Sequence, residues 1–153
     1  MPAGEAQPAI VLPLRVYIED TDAGGIVYYV NYLKYFERAR TELMRALGIA
    51  RAALPGARCQ FVVHTMQVEY LRPALLDDEL GAEARIESAS GARILFAQRI
   101  LRGAEELCRG RVSVACVDLA TRRPRALPAA WRERLAASAA VPFPRDLMEE
   151  NPA

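Results

Sequence analysis

The sequence predicts a single α+β domain in which one long helix is wrapped by a five-stranded antiparallel sheet, in the order β-α-β-β-β-β. Three observations predict it. Only residues 31–47 form a long stretch with apolar residues at helical spacing. Five other stretches carry strand patterns. The last three of these are joined by short links containing glycine, which read as consecutive antiparallel hairpins. One helix cannot lie among five strands unless the sheet wraps it, and wrapping also accounts for the helix's many apolar and aromatic residues.

The elements follow in order. Leu12, Leu14, Val16 and Ile18 alternate with Arg15, Tyr17 and Glu19, which predicts a strand with one buried face. The acidic turn DTDAGG follows. Tyr32, Leu33, Phe36, Ala39, Leu43 and Leu47 then recur at helical spacing; Asn31 suits the N-cap, and Gly48 the position just past the C-terminal end. Beyond a loop around Leu54, Pro55 and Gly56, residues 61–71 are rich in Val, Phe, Thr and Tyr, and Arg72-Pro73 ends that strand because proline cannot continue a ladder. Residues 79–87 alternate Leu80, Ala82, Ala84 and Ile86 with Glu83, Arg85 and Glu87. Residues 92–102 and 106–119 supply the last two strands, and a short helix falls near 128–137. The domain is expected over 10–140, with a flexible Pro/Ala/Gly-rich segment at 1–9 and an irregular tail at 141–153.

Composition narrows the function. A chain of 153 residues, 52% apolar and 25% charged, is long enough for one real core. Its net charge of +1, with no basic stripe carrying interleaved aromatics, gives no support for nucleic-acid binding. No stretch approaches the roughly 18 apolar residues of a membrane span, and the first residues lack the pattern of a signal peptide. Cys59, Cys108 and Cys116 are too few and too dispersed for a disulfide framework, and no Cys/His pair has metal-ligand spacing. They are expected as buried apolar thiols in a reducing cytoplasm, with no metal site.

The chemistry concentrates between Tyr17 and Glu42. A strand end, an acidic turn and a helix start can place a carboxylate beside exposed backbone N–H groups, enough to attack a carbonyl. Asp22 is the leading carboxylate, although aspartate is also favoured in turns for its own sake. Asp20 lies at the strand end and is expected to be structural. Glu37, two turns into the helix, is a weaker second acid. His64, the only histidine, shares strand parity with Val62, Met66, Val68 and Tyr70 and is expected to be buried or interfacial. Without an activated serine, no Ser-His-Asp arrangement is visible. Tyr28, Tyr29, Tyr32 and Tyr35 could line an aromatic pocket, but core packing is the simpler expectation.

The segment VYIEDTDAGGIVYYVNYLKYFERARTE resembles the opening motif of hotdog-fold thioesterases of the 4-hydroxybenzoyl-CoA thioesterase class. Within that class the chain is most similar to the Tol–Pal-cluster acyl-CoA thioesterases of the YbgC type. VEYLRPALLDDEL, RILFAQRI and VACVDLATRRPRALP extend the likeness over about residues 12–128. The resemblance implies a cytoplasmic hydrolase of acyl-CoA thioesters that needs no metal or organic cofactor. It implies a dimer joined sheet edge to sheet edge, commonly paired again into a tetramer. It makes Asp22 the catalytic carboxylate and the backbone N–H of Tyr29 the group that polarises the thioester carbonyl. The chain departs from its closest branch in carrying Tyr29 where a histidine is usual. Gly24 and Gly25 would let the turn approach the acyl group, Asn31 could orient water or substrate, and Arg72 and Arg93 are candidates for the CoA phosphates. Acyl carrier protein could replace CoA as the thiol carrier. Two other readings stand beside hydrolysis: a hotdog hydratase or dehydratase, which would need a histidine near the turn, and a non-catalytic acyl-thioester binder or scaffold.

Overall fold

The structure, a computed structural model, describes residues 10–49 and 59–138. The predicted loop at 54–56, the segment 1–9 and the tail 141–153 lie outside the described residues. The strands are β1 (Ile10–Arg15), β2 (Cys59–Tyr70), β3 (Glu79–Ser90), β4 (Arg93–Arg102) and β5 (Glu105–Asp118). The helices are α1 (Tyr29–Ala46) and α2 (Ala129–Ser138). All five strands join one antiparallel sheet in the order β1-β3-β4-β5-β2, with α1 packed across β1, β3 and β4. This is the predicted α+β architecture.

The α1 seam follows from its sequence period. Tyr32, Tyr35, Phe36, Ala39 and Leu43 are buried and meet Ala82, Ala84, Ile86, Ile94, Phe96 and Ile100 in one core. Burying a side chain the size of Phe36 contributes about 2 kcal/mol. Two polar residues sit within the seam. Arg40 donates to Gln98 Oε1 at 2.9 Å, and Gln98 Nε2 donates to the Phe36 carbonyl at 2.9 Å. Helix and sheet are therefore registered by a satisfied polar bridge as well as by packing. The C-terminus closes as predicted at Gly48: its N–H donates to Arg45 O at 3.0 Å, and that of Ile49 donates to Met44 O at 2.8 Å.

The sheet's other face carries an ion network. Arg99 reaches Glu83 through two nitrogens, at 2.9 and 2.6 Å, and approaches Glu106 at 3.8 Å. Arg109 approaches Glu106 at 3.6 Å and Glu69 at 3.1 Å. Among buried charges this mutual pairing is what makes burial tolerable.

Several expectations change. Ile18 is 76% exposed, because β1 stops at Arg15 and residues Ile18–Asp20 form a 3-10 turn instead of continuing the alternation. Asn31 is not the N-cap; Tyr28 is, and Asn31 lies inside the helix. His64 is exposed within this chain, which overturns its expected burial and leaves the interfacial alternative as a proposal. The β2–β5 register steps from Val63↔Val114 to Thr65↔Ser113, so His64 is the extra residue of a bulge, and parity switches there. Phe61, Val63, Met66, Val68 and Tyr70 consequently share a face, opposite Cys116, Val114, Val112, Gly110 and Cys108. His64 instead lies 3.1 Å from Arg93.

Cys59 and Cys116 are not separate thiols but a disulfide, with Cα atoms 6.1 Å apart. Cys116 pairs with Phe61, so Cys59 is its diagonal neighbour across the two strands, a relation invisible at 57 residues' separation. Cys108 is a buried free thiol, as expected. Burial, and then the nearby Glu106 charge, push its pKa up from 9.0 to about 12. Among the described residues no helix is long and apolar enough to cross a membrane.

Two outcomes are expected. A methyl group at Gly110 would stand 2.7 Å from the Gln67 carbonyl oxygen and 3.1 Å from the Phe36 ring. Gly110→Ala should therefore lower stability by about 1–3 kcal/mol in denaturant titration. The native Cys108 thiol should resist alkylation at pH 8 and react on unfolding. Its raised folded-state pKa means that the unfolded chain loses this proton first as pH rises. Its contribution to stability is thus intact below about 9 and falls away toward 12, which thermal melts across that window should register.

Candidate active site

The site is one continuous unit of chain. After the 3-10 turn, residues 21–27 form a tight hairpin closed by a Thr21↔Val27 bridge, and α1 begins two residues later. Asp22 N–H donates to Ile26 O at 2.8 Å, and Gly25 N–H donates to Asp22 O at 3.1 Å. Gly25 has φ +80°, a conformation that side-chain-bearing residues rarely adopt. Gly24 N–H donates to Asp22 Oδ1 at 2.8 Å. The carboxylate is thus oriented by its own turn while its side chain faces solvent.

The Asp20 carbonyl joins this hairpin to the helix. It accepts the Tyr28 N–H at 2.9 Å and Asn31 Nδ2–H at 2.8 Å. The Asp20 carboxylate accepts the Tyr17 N–H at 2.9 Å, a structural role as predicted. Asn31 N–H donates to Tyr28 O at 2.8 Å, which tightens the first helical turn. Tyr28 provides no side-chain cap. A Ser or Asp at that position would take up the first donors. Here the Tyr29 N–H, the first of the helix, has no intrahelical partner and sits at the positive end of the helix dipole.

A second chain segment braces the hairpin. Val27 N–H donates to Ala74 O at 2.9 Å, Ile26 bridges Leu75, and Ala74 N–H donates to the Tyr32 hydroxyl at 2.9 Å. Arg102 holds this segment from β4, reaching Asp78 at 2.6 Å, Glu105 at 3.0 Å and the Pro73 carbonyl at 3.3 Å. Burial pushes the Asp78 carboxyl up, but the Leu75 N–H and Arg102 outweigh it and hold the group below its usual range.

The tyrosines divide. Tyr32 and Tyr35 are core residues, as expected, while Tyr28 and Tyr29 are exposed. Tyr29 packs edge-to-face on Tyr70, at the end of β2, with ring centroids 6.1 Å apart. No local pattern marks Tyr70, because only the fold brings it to the helix start.

The structure brings Asp22, Gly24, Gly25, Tyr29 and Asn31 together on one unit. Arg72 lies just past the end of β2 near this unit, with its guanidinium 3.3 Å from Glu105. Arg93 lies elsewhere. It pairs with Ala115, which pairs with Val62, eight residues and about 26 Å along β2 from Tyr70. Glu37 is exposed on α1. A cleft of about 250 Å³ is lined by Gln67, Glu69, Ala97, Arg109 and Arg111 among others, and none of the hairpin's residues borders it.

The sequence profile of the thioesterase-like superfamily matches residues 16–150. The chain belongs to that superfamily. It is a hotdog-fold thioesterase, and relatives of both sequence and structure agree. It is 47% identical over 117 residues to the acyl-CoA thioesterase YbgC of Haemophilus influenzae, covering 76% of this chain and 86% of that one. The acyl-CoA thioester hydrolase YbgC of Escherichia coli O6:H1 is also 47% identical over 117 residues, with 76% and 87% covered. The crystal structure of a probable thioesterase from Bartonella henselae superposes with a TM-score of 0.74 at 35% identity, covering 79% of this chain and all of that one.

Asn31→Leu would remove one of the two donors on the Asp20 carbonyl. It should cost about 1 kcal/mol of stability. It should also speed amide exchange at Tyr28, read by NMR, without changing exchange in the core strands.

Proposed function

We propose that this thioesterase hydrolyses acyl-CoA thioesters to the free acid and CoA, with Asp22 as the catalytic carboxylate and the Tyr29 N–H polarising the carbonyl. The observation that carries the reading is the Asp20 carbonyl joining the Asp22 hairpin to the open first donor of α1. A thioester is already activated and its thiolate leaves well. The protein needs to supply only attack and charge stabilisation, with no metal or organic cofactor. Asp22 either attacks the carbonyl carbon, giving a mixed anhydride that water then cleaves, or takes a proton from an attacking water. In both routes negative charge collects on the thioester oxygen, where the N–H and helix dipole meet it. Acyl carrier protein is an alternative thiol carrier. A hydratase reading finds no support, since the single histidine lies six residues, about 20 Å, along β2 from Tyr70.

The working unit in this reading is a homodimer joined through β2, itself paired into a tetramer. The sheet's two free edges differ. β1 has six residues and contains Pro13, a device that blunts an edge. β2 has twelve, contains no proline or lysine, and exposes Val62 and Val63. Antiparallel pairing about the middle of β2 would bring the second copy's Arg93 toward the Asp22 end, where CoA phosphates need cations. It would also supply the wall that the open carboxylate lacks within one chain. Arg72, Gly24, Gly25 and Asn31 complete the substrate contacts. The reading implies the cytoplasm; in a reducing compartment Cys59 and Cys116 would stand as adjacent thiols.

Asp22→Asn keeps the oxygen that accepts the Gly24 N–H. The variant should fold with an unchanged unfolding midpoint and lose on the order of 100–10,000-fold in kcat with acyl-CoA, followed by thiol release. Activity within a factor of a few of the parent would remove Asp22 from the mechanism. Label found in the Asp22 peptide after a single turnover in ¹⁸O-water would establish direct attack, through a mixed anhydride cleaved at the aspartyl carbon.

A further inference from the structure

We propose that Cys59 and Cys116 form a reversible thiol–disulfide latch that sets how firmly the corner of the sheet bearing Arg93 is held, and through it the affinity for acyl-CoA. This rests on the thioesterase reading above, in which Arg93 meets the CoA phosphates. Strand register brings the two cysteines into bonding contact across β2 and β5, with Cα atoms 6.1 Å apart and 57 residues between them in sequence. Cys108, at the other end of β5, stays a free thiol.

Cys116 is the node of that corner. Its N–H donates to the carbonyl of Ala92, the residue before Arg93, at 2.6 Å, and its carbonyl accepts the Arg125 N–H at 2.9 Å. It stands opposite Phe61 of β2, whose ring packs on Trp131 of α2 with centroids 5.6 Å apart. Leu127 N–H closes the same corner on the Gly91 carbonyl at 2.9 Å. The start of β2, which holds Cys59, is paired within the chain on one side only, by β5. A covalent bond there ties this edge strand to the residue from which the Arg93 end of β4 hangs. Without the bond, the first β2 pairs are free to fray.

The sulfurs are placed for exchange. Both cysteines pack on the core side of the sheet, so the backbone edge that a second copy would pair with is a separate surface. Cys116 is fully buried and Cys59 partly exposed, which gives one point of entry. To close the latch, the Cys59 thiolate attacks a small disulfide such as oxidised glutathione, and one glutathione thiolate leaves. The Cys116 sulfur then attacks the mixed disulfide at Cys59, and its proton ends on the second departing glutathione. Two protein thiols are oxidised to a disulfide while the small disulfide is reduced to two thiols. In the reducing compartment that the reading implies, the latch stands open and closes under oxidation.

The test equilibrates the full chain with oxidised or reduced glutathione, quenches exchange with acid and counts thiols after unfolding. One thiol is expected in the oxidised form and three in the reduced form. The oxidised form should melt about 5–15 °C higher. Its KM for octanoyl-CoA should be about 3- to 10-fold lower, part of the worth of one charged hydrogen bond, with kcat unchanged. The N-acetylcysteamine thioester of octanoate, which carries no phosphate, should show no redox dependence. Cys59→Ser should keep the higher KM in both buffers, and Cys59→Ala serves if that variant does not fold. Arg93→Ala should raise KM and abolish its response to oxidation. Three thiols after oxidation, a KM indifferent to redox state, or an equal response of both thioesters overturns the latch, while turnover that depends on Asp22 leaves the thioesterase reading standing. Absence of turnover in both redox states overturns both.

Discussion

The site depends on the carbonyl oxygen of Asp20. It receives the Tyr28 N–H from the residue before the helix and the amide of Asn31 from the first turn. A carboxylate in a glycine turn and an open N–H at a helix start are each common. Here a single acceptor, itself placed by a 3-10 turn, fixes one relative to the other. Because the carbonyl has two lone pairs, it can hold both donors without leaving a buried group unmatched. The geometry of the candidate site is therefore a property of backbone hydrogen bonding, with Asp22 itself exposed.

That arrangement needs a helix that does not move against the sheet. Apolar packing alone allows a helix to slide among similar states. The Arg40–Gln98–Phe36 bridge and the close contact at Gly110 remove that freedom. The first makes any shift break a buried polar pair, and the second leaves no room for a side chain between Phe36 and β5. From the other side, Arg102 and Asp78 fasten the segment that carries Ala74, whose carbonyl and N–H meet Val27 and Tyr32. The helix is thus held by β4, by β5 and by the segment that carries Ala74.

The two edges of the sheet show how the fold separates closed from open surface. β1 is short and interrupted by proline, whereas β2 is long, bulged at His64 and apolar near its middle. The bulge explains why parity misplaced His64. It moves a residue that reads as part of an apolar face to the outside, beside Arg93. The proposed dimer would use this unpaired β2 edge.

By itself the sequence determined the element order, the single long helix, the hairpin strands and the acidic glycine turn, because these depend on periodicity and turn chemistry within a few residues. It also singled out Asp22 and Tyr29, since both lie in one short motif. Relations across the fold were decided only by tertiary structure. These include the end of β1 before Ile18, the place of Asn31 inside the helix, the Cys59–Cys116 pairing and the meeting of Tyr29 with Tyr70. Each depends on strand register or on a hydrogen bond to a distant carbonyl. Neither leaves a mark in the local pattern of apolar and polar residues.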